Sequence, residues 1–178
     1  LESCTHAARY RCAGGGFRWL EMSARRALDA QGRVVGLSGT LTDITRQKEH
    51  ESRLEYIAHY DALTGLPNRV LLHDRLGQGM AQARRRGGHL AVAYIDLDGF
   101  KEVNDGYGHD MGDRLLVELA LRMKAGLREG DSMSRLGGDE FVAVLGDLDG
   151  ESRAVQLVQR LLATLAMPVR CGAEKLQV

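Results

Sequence analysis

The pattern of apolar and polar positions divides the chain into two differently built stretches. Phe17 to Leu28 (FRWLEMSARRAL) alternates, with Leu20, Met22 and Ala24 on one face. Asp29-Ala-Gln-Gly32 is a turn signal, and Arg33 to Leu41 then places Val35, Leu37 and Leu41 at even spacing. Alternation with a period of two on either side of a turn predicts an antiparallel hairpin of two long strands. A lone hairpin is marginally stable, so it is expected to belong to a larger sheet whose start is missing. From Arg46 to His59 the chain becomes polar, with Leu54, Ile57 and Ala58 at helical spacing. That is an exposed helix with a narrow apolar seam. It is either a simple surface helix or one strand of a two-stranded coil joining two dimeric domains.

The second stretch is richer in long apolar blocks. Gly65 and Pro67 break the chain inside Asp61–Arg69 (DALTGLPNR), and Asn68 suits the N-cap of a helix from about Arg69 to Arg86. That helix is expected to bury Leu72, Leu76, Met80 and Ala83, and Arg84-Arg85-Arg86 complements the negative pole of its dipole. Leu90 to Ile95 (LAVAYI) is continuously apolar, as in a strand buried on both faces, and it runs into Asp96-Leu97-Asp98. Gly99-Phe100-Lys101 opens a short helix through Asn104, Gly106 and Gly108 interrupt, and Met111 to Leu127 is strongly amphipathic. Ser132 to Leu145 reads as a β-hairpin, two apolar runs around Gly137-Gly138-Asp139-Glu140. After the Asp149-Gly150 turn, Arg153 to Leu165 is a further amphipathic helix, ended by Met167-Pro168, and the last residues look extended. This order implies an α/β sheet flanked by helices, with an antiparallel hairpin inside the sheet.

Composition narrows the function only a little. The chain has 178 residues, enough for one domain or for one small domain and part of another. Lys+Arg and Asp+Glu both number 24, so no general field favours nucleic acid or an acidic membrane. Cys4, Cys12 and Cys171 make neither a disulfide framework nor a zinc pattern, which fits a reduced cytoplasmic setting. No apolar run approaches the roughly 18 residues of a membrane span, and no signal peptide is visible. The chain starts at Leu1 rather than Met and ends at Val178 in an extended stretch. We therefore read it as a piece of a longer protein, whose parent is free to carry a membrane anchor.

The chemistry lies in two acidic clusters. Asp96 and Asp98 are two apart at the end of a strand and share a face. Asp139 and Glu140 sit side by side at a hairpin tip, where they repel unless something positive joins them. A solvated acidic turn is the plainer alternative. If strand and hairpin are neighbours in one sheet, Asp96 and Asp139 meet around a hard cation such as Mg²⁺. The N–H groups of Gly99, Phe100 and Lys101, at a helix start beside that cation, form a phosphate-binding geometry. Together these suit a nucleoside triphosphate. The sequence has neither a P-loop nor an EF-hand. Asn104 and Asp113 have the hydrogen-bonding chemistry for a guanine edge, and on spacing alone they equally suit a helix C-cap and a helix-start acid.

Four segments carry a resemblance: Asp61–Arg69, Ile95–Asp105 (IDLDGFKEVND), Gly108-His109 with Gly112-Asp113, and Arg135–Phe141 (RLGGDEF). In this order and spacing they resemble the motifs of the GGDEF family, the diguanylate cyclases, from about Asp61 to the end of the chain. The resemblance implies a sheet flanked by helices like the palm of nucleotidyl cyclases and polymerases. It implies a reaction that joins two GTP into cyclic di-GMP with release of two pyrophosphates, in a homodimer. Residue by residue, it implies that Asp96, Asp139 and the Leu97 carbonyl bind Mg²⁺ or Mn²⁺. Asp139 is the candidate general base, and Glu140 a supporting or second-metal ligand. Asn104 and Asp113 would bind guanine, with His109 in the same pocket and Gly99, Phe100 and Lys101 toward the phosphates. Arg128-Glu-Gly-Asp131 lies where the family carries its product-inhibition site, and alone it is an ordinary ion pair at a helix end. The family's closing basic segment would follow Val178.

The first stretch has a second, less specific resemblance. Gly16–Leu20 (GFRWL), the Asp29–Gly32 turn and Gly39–Thr45 (GTLTDIT) are similar to the closing half of a PAS sensor domain. The expected organisation is thus a partial PAS domain over 1–44, a linker helix over 45–60 and a GGDEF domain over 61–178. Two functions of different kind follow: a sensor-controlled diguanylate cyclase, or a non-catalytic GTP-binding module attached to a cyclic di-GMP phosphodiesterase (EAL) domain.

Overall fold

A computed structural model describes residues 3–171 and 174–178. The chain forms two compact units, residues 1–56 and 57–178. In the first, strands β1 (Ser3–Arg11), β2 (Phe17–Leu28) and β3 (Val34–Asp43) form an antiparallel sheet in that order. The predicted hairpin is β2–β3, and the expectation that the start of its sheet is missing is corrected in part: β1, which the sequence did not signal, pairs along β2. Its Asp29 turn is closed by the carboxylate, which accepts from the backbone N–H of Gln31 (2.9 Å) and Arg33 (2.8 Å). β3 is exposed along its length, and Leu37 is 77% accessible. The buried cluster of the protein takes none of the described residues up to His59.

Helix α1 (Thr45–His59) runs across the boundary of the two units. It begins where Asp43 accepts from the Thr45 N–H at 3.0 Å and Thr45 Oγ1 accepts from the Trp19 N–H at 2.9 Å. None of its residues is buried. No helix among the described residues is long and apolar enough to cross a membrane.

The second unit is a mixed α/β layer structure, as the helix and strand order predicted. Strands β4 (His89–Ile95), β5 (Ser132–Gly137) and β6 (Glu140–Leu148) form an antiparallel sheet in the order β4-β6-β5. On one face lie α4 (His109–Ala125) and α5 (Glu151–Leu165). Their Leu115, Leu119, Met123 and Leu161 meet Ile95, Phe141, Ala143 and Leu145 in one buried cluster. A short hairpin, β7 (Val169–Cys171) and β8 (Glu174–Leu176), closes the end of this core. Helix α3 (Phe100–Tyr107) packs against α4, and α2 (Arg69–Arg86) covers the opposite face of the sheet.

Two packing expectations are corrected here. α2 buries no residue completely, and Met80 is 54% exposed. β4 is an edge strand, not one buried on both faces: Val92 and Tyr94 are 53% and 59% exposed. Both corrections have one cause. A single helix serves that face, and it lies over the Leu90 end of β4 and over Val144 of β6, which approach Gly79. The far end of β4 therefore stays open, and the residues of α2 that face the sheet are only partly covered. The short helix is also longer than predicted, because Gly106 is accommodated inside it and only Gly108 stops it.

Candidate functional site

The register of the sheet determines which acids meet. Ile95, the last residue of β4, pairs with Phe141 of β6. The next residue, Asp96, therefore leaves the sheet beside the start of β6, where Asp139 and Glu140 form the hairpin tip. Gly137 pairs with Glu140, so the loop is only Gly138-Asp139. Gly138 has φ 53°, a conformation that glycine adopts without a Cβ clash.

The acids crowd one another. Asp96 has its carboxyl pushed above the ordinary value of 3.8, first by loss of water and then by the negative charges of Asp139, Asp98 and Glu140. The Tyr94 hydroxyl is raised as well, first by its hydrogen bond to the Glu140 carboxylate. Tyr94 is a site neighbour that the sequence did not signal; only the register brings it to Glu140. Among the described residues, no three acids, histidines or cysteines already stand around a common point as a complete metal site. Mg²⁺ commonly takes only one or two protein carboxylates, completed by water and substrate phosphates. Hard carboxylate oxygens that repel each other at the end of a strand fit such an ion.

Behind the tip stands a residue that the sequence reading quoted within its motif without a role. Arg135 is 9% exposed. Its Nε and Nη2 donate to the Gly138 carbonyl at 3.0 and 2.7 Å, and its Nη1 donates to Asp61 Oδ1 at 2.9 Å. Its backbone N–H donates to the Pro67 carbonyl at 3.0 Å. Asp61 also accepts from the Thr64 N–H (2.9 Å) and hydroxyl (2.6 Å). Burial works to raise the Asp61 pKa, and the Thr64 and Arg135 bonds outweigh it, so the carboxyl lies below its ordinary range. The DALTG loop and the acidic tip are thus one hydrogen-bonded assembly. A guanidinium four residues before the first acid of the tip was the available signal, but its partner Asp61 lies 74 positions away.

The same loop is tied to both neighbouring helices. Asn68 caps α2 by accepting from Val70 N–H at 2.9 Å and Leu71 N–H at 3.2 Å, as expected of an N-cap asparagine. Its amide nitrogen donates to the Ala58 carbonyl of α1 at 3.0 Å.

At the phosphate side one expectation changes. Gly99 is left-handed (φ 80°, ψ 5°) and the Phe100 N–H donates to the Leu97 carbonyl at 3.3 Å. These are the dihedral at the third position and the bond of a type II turn. Phe100 therefore gives its N–H to the turn and its buried side chain to the core, so this N–H is not free as expected. Gly99 and Lys101 remain exposed beside the acids. The Leu97 carbonyl keeps a second lone pair.

The guanine candidates lie on the two packed helices α3 and α4. Asn104 is half-buried and sits inside α3, which excludes the C-cap alternative. His109 and Asp113 are both exposed, four residues apart on one face of α4. The fold thus brings Asp96, Asp139 and Glu140 to one sheet end, with α3 following directly from it.

Arg128 and Asp131 lie at the other end of β6. Asp131 has a side chain only 1% exposed, with Arg128 Nε at 3.5 Å. It accepts from the Gly146 N–H at 3.2 Å, while Arg128 donates to the Gly146 carbonyl and, at 3.2 Å, to that of Asp147. The pair is therefore engaged with the end of β6. Asp147 has φ 45°, and Arg86 of the basic triplet bonds it at 2.9 Å.

Comparison with known proteins agrees with this architecture. The family described as "Diguanylate cyclase, GGDEF domain" matches residues 58–178. The diguanylate cyclase TpbB of Pseudomonas aeruginosa is 40% identical over 125 residues, which is 70% of this chain and 29% of that protein. The bifunctional diguanylate cyclase/cyclic di-GMP phosphodiesterase MucR of the same species is 43% identical over 122 residues, 68% of this chain and 18% of that protein. The solved GGDEF domain of TpbB superposes with a TM-score of 0.64 at 39% identity, covering 67% of this chain and 70% of that one. The chain spans less than a third of the length of these curated relatives.

Proposed function

The chain belongs to the GGDEF family of diguanylate cyclases, and from that premise we propose that it condenses two GTP into cyclic di-GMP with release of two pyrophosphates. The observation that carries the reading is the Ile95–Phe141 register, which supports a shared site for Asp96, Asp139 and Glu140. In this reading Asp96, Asp139 and the Leu97 carbonyl hold Mg²⁺ or Mn²⁺, with Glu140 supporting them. The bound ion would neutralise charge on the triphosphate and polarise the α-phosphate.

The residues of the chain do the rest. Gly99 and Lys101 face the phosphates, with Lys101 adding positive charge. Asn104 and Asp113 hold the guanine edge, and His109 borders the same pocket. Asp139 accepts the proton of a 3′-hydroxyl at a carboxylate oxygen. That 3′-oxygen bonds to the α-phosphorus of the second GTP, and the bond to the pyrophosphate oxygen breaks. The same step in the opposite direction closes the ring. Each cyclase subunit holds one GTP, so two subunits must face each other in a homodimer. Helix α1 sets that geometry for an N-terminal sensor half, formed by β1–β3 in a PAS-like unit, in a cytoplasmic segment. Cyclic di-GMP returns as a feedback inhibitor at Arg128 and Asp131.

The test replaces each acid in the full-length protein and measures cyclic di-GMP formed from GTP and Mg²⁺. Asp96→Asn and Asp139→Asn should each lower the rate by about a hundredfold or more, since metal and base roles are lost. A near-normal rate in either variant would refute the assigned site. The kinship with a bifunctional phosphodiesterase supports a second reading, a GTP-binding regulator. It stands if the intact protein binds GTP with Mg²⁺ and makes no product.

A further inference from the structure

Gly112 is buried in the second turn of α4, where a glycine weakens a helix. A Cβ built there would lie 2.1 Å from Asn104 Oδ1, 3.0 Å from Asn104 Cγ and 3.2 Å from Phe100 Cζ. The first is a distance that a Cβ cannot adopt unless the amide moves, and the other two are tight contacts. The Asn104 amide thus occupies the space that any other residue at 112 would fill. Gly112 has no positive φ and so does not serve a turn. What it provides is a hollow on α4, next in sequence to Asp113, into which the α3 amide fits.

We propose that Gly112 is a specificity-determining positioning residue: by lacking a Cβ it seats the Asn104 amide against α4 beside Asp113, and this pairing selects a guanine over an adenine nucleotide. The inference rests on the guanine-pocket reading of Asn104 and Asp113 given above. Among the described residues no protein hydrogen bond claims the Asn104 side chain, so the seat is steric and the amide remains available to a base. A base edge requires donor and acceptor groups on both sides of it in fixed register. Seated in the hollow, Asn104 is held from α3 while Asp113 is held from α4. Displaced, it can no longer act with Asp113 on the same base.

The measurement is equilibrium binding to the full-length protein with Mg²⁺, using 3′-deoxy-GTP and 3′-deoxy-ATP. Neither has the attacking hydroxyl, so binding is read without turnover. Asn104→Ala should lower the preference for the guanine nucleotide about tenfold, the effect of one well-made hydrogen bond. Gly112→Ala should lower it as much, although alanine is the better helix former. The double variant should match Asn104→Ala alone, because the seat has no purpose once the amide is gone. If Asn104→Ala keeps the preference, the guanine pocket itself is wrong and this inference falls with it. If Asn104→Ala loses it and Gly112→Ala keeps it, only the role of Gly112 is overturned. Should Gly112→Ala fail to fold, the double variant decides. Recovered folding, read by circular dichroism, supports a clash with Asn104; continued failure assigns the glycine to Phe100 packing and overturns the inference.

Discussion

Arg135→Ala should unlock the acidic hairpin tip. The substitution deletes three hydrogen bonds, two to the Gly138 carbonyl and one to Asp61. It also removes the positive partner of a carboxylate whose side chain is only 21% exposed. Breaking a fully buried pair costs about 3–5 kcal/mol. Asp61 is partly solvated and keeps both bonds from Thr64, so the expected loss is smaller, about 2–3 kcal/mol. Lysine at 135 should recover less than half of this, because an ammonium cannot reach the carbonyl and the carboxylate in a fork. The single tryptophan, Trp19, lies in the other unit and does not report on this one. Amide hydrogen exchange over residues 132–148 is the suitable assay: the loss should appear as opening of β5 and β6. The rate of cyclic di-GMP synthesis should fall with it, since Asp139 sits on the loosened loop. Acid titration gives a second readout. The Asp61 carboxyl is depressed below 3.8 in the folded chain, so its stabilisation is present above that value and is lost as pH falls through the folded pKa. In Arg135→Ala the carboxyl moves back toward its ordinary value and this acid-dependent stabilisation shrinks. Unchanged exchange in β5–β6, with an unchanged acid limb, would refute the reasoning.

Two other expectations concern regulation. Arg128→Ala should leave the initial rate largely intact and relieve inhibition as cyclic di-GMP accumulates; identical product inhibition in the variant would leave Arg128 as a clasp on β6 alone. Inserting one residue near Glu51 turns the following part of α1 by about 100°, and cyclase activity should change strongly; indifference to the insertion would remove the helix as a conduit.

Much of this was legible because local rules and tertiary structure agree. Asn68 caps α2 where a capping asparagine was expected, and the glycine pair at 137–138 makes a hairpin. The amphipathic stripe of Leu115, Leu119 and Met123 is the buried side of α4. The misread parts depend on what covers what. LAVAYI has the composition of a two-sided buried strand, yet α2 covers only its Leu90 end and leaves Val92 and Tyr94 exposed. Nothing in a period-two or continuous apolar pattern records whether a helix will lie over a given strand. Likewise, the Phe100 N–H counted as free until the Leu97–Phe100 turn took it. The Arg135–Asp61 bond joins segments 74 residues apart, beyond any spacing rule.

That bond also explains how the acid site keeps its charge. Four carboxylates, Asp96, Asp98, Asp139 and Glu140, lie near the end of β4 and the tip of the hairpin, and loss of water together with its neighbours' charge makes Asp96 hold its proton more tightly. The guanidinium of Arg135 stands behind the same tip and has the fork geometry for a carboxylate. Its fork is instead filled by the Gly138 carbonyl on one side and Asp61 on the other. Had the same guanidinium turned to Asp139 or Glu140, it would neutralise the negative charge that a divalent cation needs. Asp61 therefore does more than stabilise a loop. By occupying the guanidinium it holds the tip rigid through its backbone while leaving the tip's side chains uncompensated. Rigidity and an unsatisfied negative field are together what a preorganised cation site requires.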